Sequence, residues 1–267
     1  MLLLHGLGGT LLHWDAVAPL LTDARRVVAM DLRGHGLSGD GPWEWEAVLD
    51  DVQAVIDHFG LDAPVMVGHS LGGMVAVQWA LRHPDCPGIV NFDGLRSAET
   101  APQHYAGIGQ EELTALLAEL KAVFDAQAEA MTRPLPETHA AMHPQRALRI
   151  TDEGIYVRPD AALARQIRYD PYFQDSVAAV ADIRCPALFV LATENLPGLP
   201  GRVGDLMPAL RAGIRRDLLA LIAGRPHLRV LELAGSHNMV AEQPEQVAQA
   251  VLGLWTEIGV EESRNSG

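Results

Sequence analysis

Within the first hundred residues, short apolar runs alternate with amphipathic stretches, and that alternation leaves few folds open. Leu2-Leu3-Leu4, Arg26 to Met30 (ending at Asp31), Pro64 to Val67 (ending at Gly68) and Gly88 to Phe92 read as strands without a polar face. Between them lie helix-like stretches at 13–22, 44–59 and 71–83. In the second, Val48, Val52, Val55, Ile56 and Phe59 recur three and four residues apart, which is one helix face. Continuously apolar strands joined by helices imply a parallel sheet covered on both faces.

After Asp93 the rhythm stops. Residues 95–182 carry helix-like segments (110–131, 136–149, 160–168) and no convincing strand. It resumes with Pro186 to Leu191, a helical stretch from Asp205 to Ala223, the strand Arg229 to Leu233 and a last helix near Pro244 to Trp255. The expectation is an α/β fold with a mostly parallel, doubly wound sheet. Its core comprises residues 1–94 and 183–260, with strands at 2–4, 26–31, 64–67, 88–92, 186–192 and 229–234. A helical cap fills 95–182, since about 85–90 residues is too long for a loop. Strand 26–31 should be an exposed edge, and the polar residues 261–267 a frayed tail.

Charge and cysteine usage narrow the function classes. A formal net charge of −14 repels phosphate backbones and anionic lipid, so neither nucleic acid nor a membrane surface is an expected partner. No apolar run approaches the ~20 residues of a membrane span, and Met1 to Leu4 is too short for a signal peptide. Cys86 and Cys185 make no disulfide framework and no metal-ligand spacing; they read as ordinary buried thiols in a reducing compartment. A cytoplasmic monomer or homodimer acting on a small molecule is expected.

Gly68-His69-Ser70-Leu71-Gly72 falls between an apolar strand and a helix. In that context G-x-S-x-G marks a sharp strand-to-helix turn that exposes the serine, with glycines letting strand and helix approach. The bland alternative is a glycine-rich turn with an inert serine. A dinucleotide-binding reading of Gly6-Leu7-Gly8 is weaker, because its third glycine would fall on Leu11.

With this elbow, the chain resembles the α/β-hydrolase superfamily along nearly its whole length. His5-Gly6-Leu7-Gly8-Gly9 is similar to the family's oxyanion loop, Asp31 to Ser38 to the turn after the next strand, and Gly235-Ser236-His237-Asn238 to its histidine loop. The resemblance implies Ser70 as nucleophile, a base to take its proton, and an acid to orient that base. Of eleven histidines, His237 has the right context, a strand end and small-residue turn before a helix. His69 should point away from the nucleophile, and His5 and His35 sit in backbone-shaping turns. The other seven read as surface, helix-end or cap residues.

In most of the family the acid follows the strand after the cap, yet Leu196 stands where that Asp is expected. Glu194 is two positions early. One branch of the superfamily carries the acid one strand sooner, which matches Asp93 at the end of Gly88 to Phe92. Asp93 is favoured and Glu194 stays the alternative; a plain turn residue is the bland reading of Asp93. The backbone N–H groups of Leu7 and Leu71 are the expected oxyanion donors.

Serine also excludes chemistry, since the superfamily's dehalogenases and epoxide hydrolases use an aspartate nucleophile. The expected reaction is acyl transfer to water from an ester, thioester or lactone, without metal, nicotinamide or flavin. Carbon–carbon bond hydrolysis, a lyase or cyclase reaction, and ligand binding on a vestigial site are the alternatives. Arg133, Arg146, Arg149, Arg158, Arg165 and Arg168 form either a solvated face or an anion site. Family members usually open with a two-strand hairpin. This sequence starts on the strand after it, so either the sheet lacks that edge or the true start lies upstream.

Overall fold

The computed structural model describes every residue except Ala24, Arg25, Pro197, Leu199, Pro200, Ser266 and Gly267; beyond Thr256 it describes a side chain only at Ile258. The strands are β1 (Leu2–Leu4), β2 (Val28–Met30), β3 (Met66–His69), β4 (Ile89–Phe92), β5 (Leu148–Thr151), β6 (Gly154–Val157), β7 (Ala187–Ala192) and β8 (Leu228–Leu233). Six of them form one sheet in the order β2-β1-β3-β4-β7-β8, parallel at every step. As read from the sequence, β2 is an edge strand.

The strands are apolar throughout because both faces are covered. Leu2 and Leu4 enter one core with Met66, Ile89 and Phe189, whereas Leu3 enters the other with Val67, Val90 and Val190. Side chains alternate across a strand, so adjacent leucines serve opposite cores. Each fully buried Leu or Val contributes roughly 1.5–3 kcal/mol. The first core is closed by α1 (Trp45–Phe59), α2 (Leu71–Arg82) and, beyond the insertion, α5 (Val203–Ile222); the second is closed by α6 (Pro244–Asn265). Within the insertion, α3 (Gln110–Ala130) and α4 (Ala161–Arg168) are the two long helices. On α1 the buried face is Val48, Leu49, Val52 and Ile56, and Gly60, at φ 55°, ends the helix.

Three expectations need correction. The stretch 136–149 is not a helix. Pro144 interrupts it, leaving a short helix (Glu137–Ala140) and a 3₁₀ turn (Gln145–Ala147) before the antiparallel hairpin β5–β6. The insertion is therefore not wholly helical. Residues 13–22 form a 3₁₀ turn (Leu11–Trp14) and one helical turn (Ala18–Leu21) rather than a continuous helix. Finally, α6 runs to Asn265 where a frayed tail was expected from residue 261; Ser266 and Gly267 lie outside the described residues.

Arginine side chains bind the insertion to the core. Arg146 donates to Asp31 at 2.7 Å, and Asp31 also accepts the Leu11 and Leu37 N–H groups. Arg158 donates to the carbonyls of Gly34, Gly36 and Ser38; within the insertion, Arg168 pairs with Glu99. Arg133 pairs with Glu129, and Arg149 lies over the Tyr156 ring. Of the six arginines flagged in the sequence, Arg146, Arg158 and Arg168 are thus tied internally, while Arg133, Arg149 and Arg165 stand on the surface. Cys86 and Cys185 meet at 3.1 Å between sulfurs.

Strand and helix approach closely at the turn after β3. A methyl carbon on Gly72 would lie 2.2 Å from the Leu4 carbonyl oxygen, and one on Gly68 2.0 Å from the Gly72 oxygen. Backbone blocks both positions, so neither neighbour can swing aside. Gly72→Ala is expected to destabilise the fold by about 3 kcal/mol or more, read as a lower urea midpoint.

Candidate active site

The sheet brings the candidate residues together at the carboxyl ends of β3, β4 and β8. Ser70 directly follows β3 at φ 53° and ψ −119°, a conformation rare for a residue with a side chain. The Ser70 N–H donates to Phe92 O, and Met74 N–H, the first bond of α2, donates to Ser70 O. Leu71 opens that helix, so its N–H precedes the first intrahelical bond and points out of the helix N-terminus. The His5-Gly6-Leu7 loop runs alongside: a methyl carbon on Gly6 would lie 3.5 Å from Ser70 Oγ.

Asp93 follows β4, also at φ 53°. Its Oδ2 lies 2.7 Å from His237 Nδ1, and its Oδ1 accepts the Ala192 N–H at 3.2 Å. Glu194 is exposed and makes no ion pair with the histidine; its backbone N–H donates to Gly235 O. Of the two acids weighed from the sequence, Asp93 is the one beside His237.

The His237 side chain is 39% exposed and shares a cavity of about 240 Å³ with Ser70 and Asp93. Among the described residues no hydrogen bond joins Ser70 Oγ to the His237 ring. Such bonds are often long before substrate binds. Asp93 occupies Nδ1, leaving Nε2 for the hydroxyl. Burial lowers the His237 pKa, but the hydrogen bond and charge of Asp93 outweigh it, and the net shift is upward. Burial raises the Asp93 pKa, yet the same pair holds it below the ordinary carboxylate value.

Two supporting residues escaped the sequence reading. Asn91, buried within β4, donates from Nδ2 to Gly94 O at 2.9 Å and accepts the Gly94 N–H at 2.8 Å, which fixes the turn carrying Asp93. A polar residue inside an otherwise apolar central strand was the available signal. His69 does not simply point away: its Nε2 donates to His237 O at 2.7 Å. Burial pushes the His69 pKa well below the usual value, so the ring is neutral and tethers the histidine loop.

A second cavity, of about 340 Å³, adjoins the first at Ser97, Phe124 and Phe173. Leu7 and Gly8 line it from the core, and Ala128, Met131, Val157 and Ala164 from the insertion. Glu99, His143, Arg158, Arg165 and Arg168 add polar groups to that lining, so both cavities mix apolar walls with charged side chains.

Residues 1–250 match the Alpha/beta hydrolase family. The sn-1-specific diacylglycerol lipase ABHD11 of Mus musculus is 33% identical over 123 residues, 45% of this chain and 38% of that protein. Epoxide hydrolase B of Mycobacterium tuberculosis is 36% identical over 98 residues, 34% of this chain and 28% of that protein. The matched stretches cover well under half the length of these curated relatives. Among solved structures, E-2-(acetamidomethylene)succinate hydrolase superimposes at a TM-score of 0.63 with 23% identity, over 96% of this chain and 91% of that one. The enol-lactonase from Burkholderia xenovorans LB400 gives 0.60 with 20% identity, over 96% and 90%. At these identities the solved structures show a shared fold.

Proposed function

Because the chain belongs to the alpha/beta hydrolase family, we propose that it is a serine hydrolase cleaving an ester, thioester or lactone through an acyl-enzyme. The reading is carried by one observation, the Asp93–His237 pair at 2.7 Å in the cavity that Ser70 lines. Neutral His237 takes the Ser70 proton through Nε2 as Oγ attacks the carbonyl carbon, and Asp93 stabilises the imidazolium that forms. The Leu7 and Leu71 N–H groups receive the charge on the carbonyl oxygen. His237 then returns its proton to the leaving group. A water molecule deprotonated by the same ring releases the acid and regenerates Ser70.

The chemistry named for the structural relatives supports this class in part, since the enol-lactonase and the thioesterase domain from the curacin biosynthetic pathway share the fold. A panel of nitrophenyl esters, acyl thioesters and lactones, run in ¹⁸O-labelled water, tests the proposal. One oxygen from water should enter the acid product. Turnover with no label incorporated would point to a lyase or cyclase instead.

The pair also sets a pH dependence. The base form of His237 is the active one, and Asp93 raises its pKa from the ordinary imidazole value. Hydrolysis, as kcat/KM, should therefore rise with pH through a midpoint higher than that of an ordinary imidazole. Removing the Asp93 charge leaves burial unopposed, so Asp93→Asn should move the midpoint of its residual activity downward.

A further inference from the structure

One wall of the Ser70 cavity is formed by Met207, Leu210, Arg211 and Ile214 of α5. Three of these are apolar; Arg211 is a cation facing the proposed reaction centre. Its Nη1 donates to Asn195 Oδ1 at 2.7 Å and to Glu194 O at 3.2 Å, both neutral acceptors. Among the described residues no ion pair involves Arg211, and no hydrogen bond uses its Nε or Nη2. Its neighbours behave differently. Arg96, in the same cavity, is neutralised by Asp175 at 2.7 Å and Asp217 at 2.9 Å, and Arg215, one turn along α5, pairs with Glu232.

The other charges around the cavity do not use up this guanidinium. Asp93 acts on Arg211 only through its charge, without a hydrogen bond or ion pair, since its oxygens are committed to His237 Nδ1 and the Ala192 N–H. Glu194 offers Arg211 its main-chain oxygen, while its carboxylate forms no ion pair with Arg211. A guanidinium held at one nitrogen by neutral partners keeps part of its planar fork free, and that fork matches a carboxylate. In a chain with net charge −14, the general field repels anions, so a carboxylate would need a local cation of this kind.

We infer that Arg211 binds a free carboxylate of the substrate, so that the substrate class is a carboxylate-bearing ester, thioester or lactone. This rests on the serine-hydrolase reading of the same site. The carboxylate could sit on the acyl side or the leaving-group side of the scissile bond, and matched ester pairs separate the two. Para-nitrophenyl hydrogen glutarate is compared with para-nitrophenyl valerate for the acyl side. Para-acetoxybenzoate is compared with para-acetoxybenzamide for the leaving group.

Wild-type enzyme should favour the anionic member of one pair by about tenfold or more in kcat/KM, the range of a hydrogen bond to a charged group. Arg211→Gln should collapse that ratio, and Arg211→Lys should retain part of it; the lysine variant also covers the case in which the glutamine variant fails to fold. An active enzyme that favours neither anionic ester overturns the inference alone. So does an Arg211→Gln that slows both members of the pair equally while shifting the pH midpoint, the signature of a residue that only supports Asp93. A folded wild type inert on all four esters and unlabelled by a fluorophosphonate removes the serine-hydrolase reading, and this inference with it.

Discussion

Replacing Ser70 with alanine is expected to lower ester turnover by about 10⁴-fold or more. Among the described residues Ser70 Oγ makes no hydrogen bond, whereas the backbone bonds from Ser70 N–H to Phe92 O and from Met74 N–H to Ser70 O do not depend on the side chain. Far-ultraviolet circular dichroism and the thermal midpoint should therefore stay near wild type while activity disappears. Any residual rate belongs to the oxyanion donors and to substrate binding, which alanine leaves in place. Combining Ser70→Ala with His237→Ala should cost scarcely more than either alone, because groups that act as one unit are not additive. A Ser70→Ala protein that kept most of its turnover would exclude Ser70 as the nucleophile.

The second large effect separates the two acids. Asp93→Asn should lower kcat by about 10²–10⁴-fold, since an amide in place of the carboxylate favours the wrong imidazole tautomer and cannot stabilise the imidazolium. Glu194→Gln should change it by less than about threefold, as expected of an exposed carboxylate. The contrast follows from position: the Asp93 carboxylate lies 2.7 Å from His237 Nδ1 and also accepts the Ala192 N–H at the end of the next strand. Measured side by side at a pH well above the wild-type midpoint, the two variants should differ by at least tenfold. The opposite ranking would assign the acid to Glu194.

Much of the fold is legible in the residues because its strands are unusually one-sided in composition. Leu2-Leu3-Leu4 admits no polar face, so a sheet covered on both sides follows directly. The turn at Ser70 is legible for a different reason: only glycine fits where β3, α2 and β1 touch, and Gly68 and Gly72 stand at those contacts. Asp93 could be listed as a strand-end carboxylate, but its choice over Glu194 depends on how two strands distant in sequence are juxtaposed. The hairpin β5–β6 stayed hidden because each strand is only four residues long, so the alternation of Leu148 and Ile150 with Arg149 and Thr151 is too short to stand out.

The tethers around the site were hidden for a similar reason. Asn91 and His69 act through hydrogen bonds to main-chain atoms, Gly94 O and His237 O, and a main-chain partner leaves no mark in residue type. The arginines of the insertion posed the converse problem. Their charge is plain in the sequence, yet whether a guanidinium meets Asp31, Glu99 or solvent is settled by packing across more than sixty intervening residues. Arg211 falls outside the insertion, and that no ion pair among the described residues involves it emerges only when the partners of Arg96 and Arg215 are placed beside it.

The most direct measurement is covalent labelling of the native protein with a fluorophosphonate at a pH above the His237 midpoint, followed by peptide mass mapping. The expected result is a single adduct on Ser70, lost in Ser70→Ala and formed much more slowly in Asp93→Asn. A folded wild-type protein that takes up no probe, or takes it up at another residue with Ser70 unmodified, would contradict the assignment of Ser70 as an activated nucleophile.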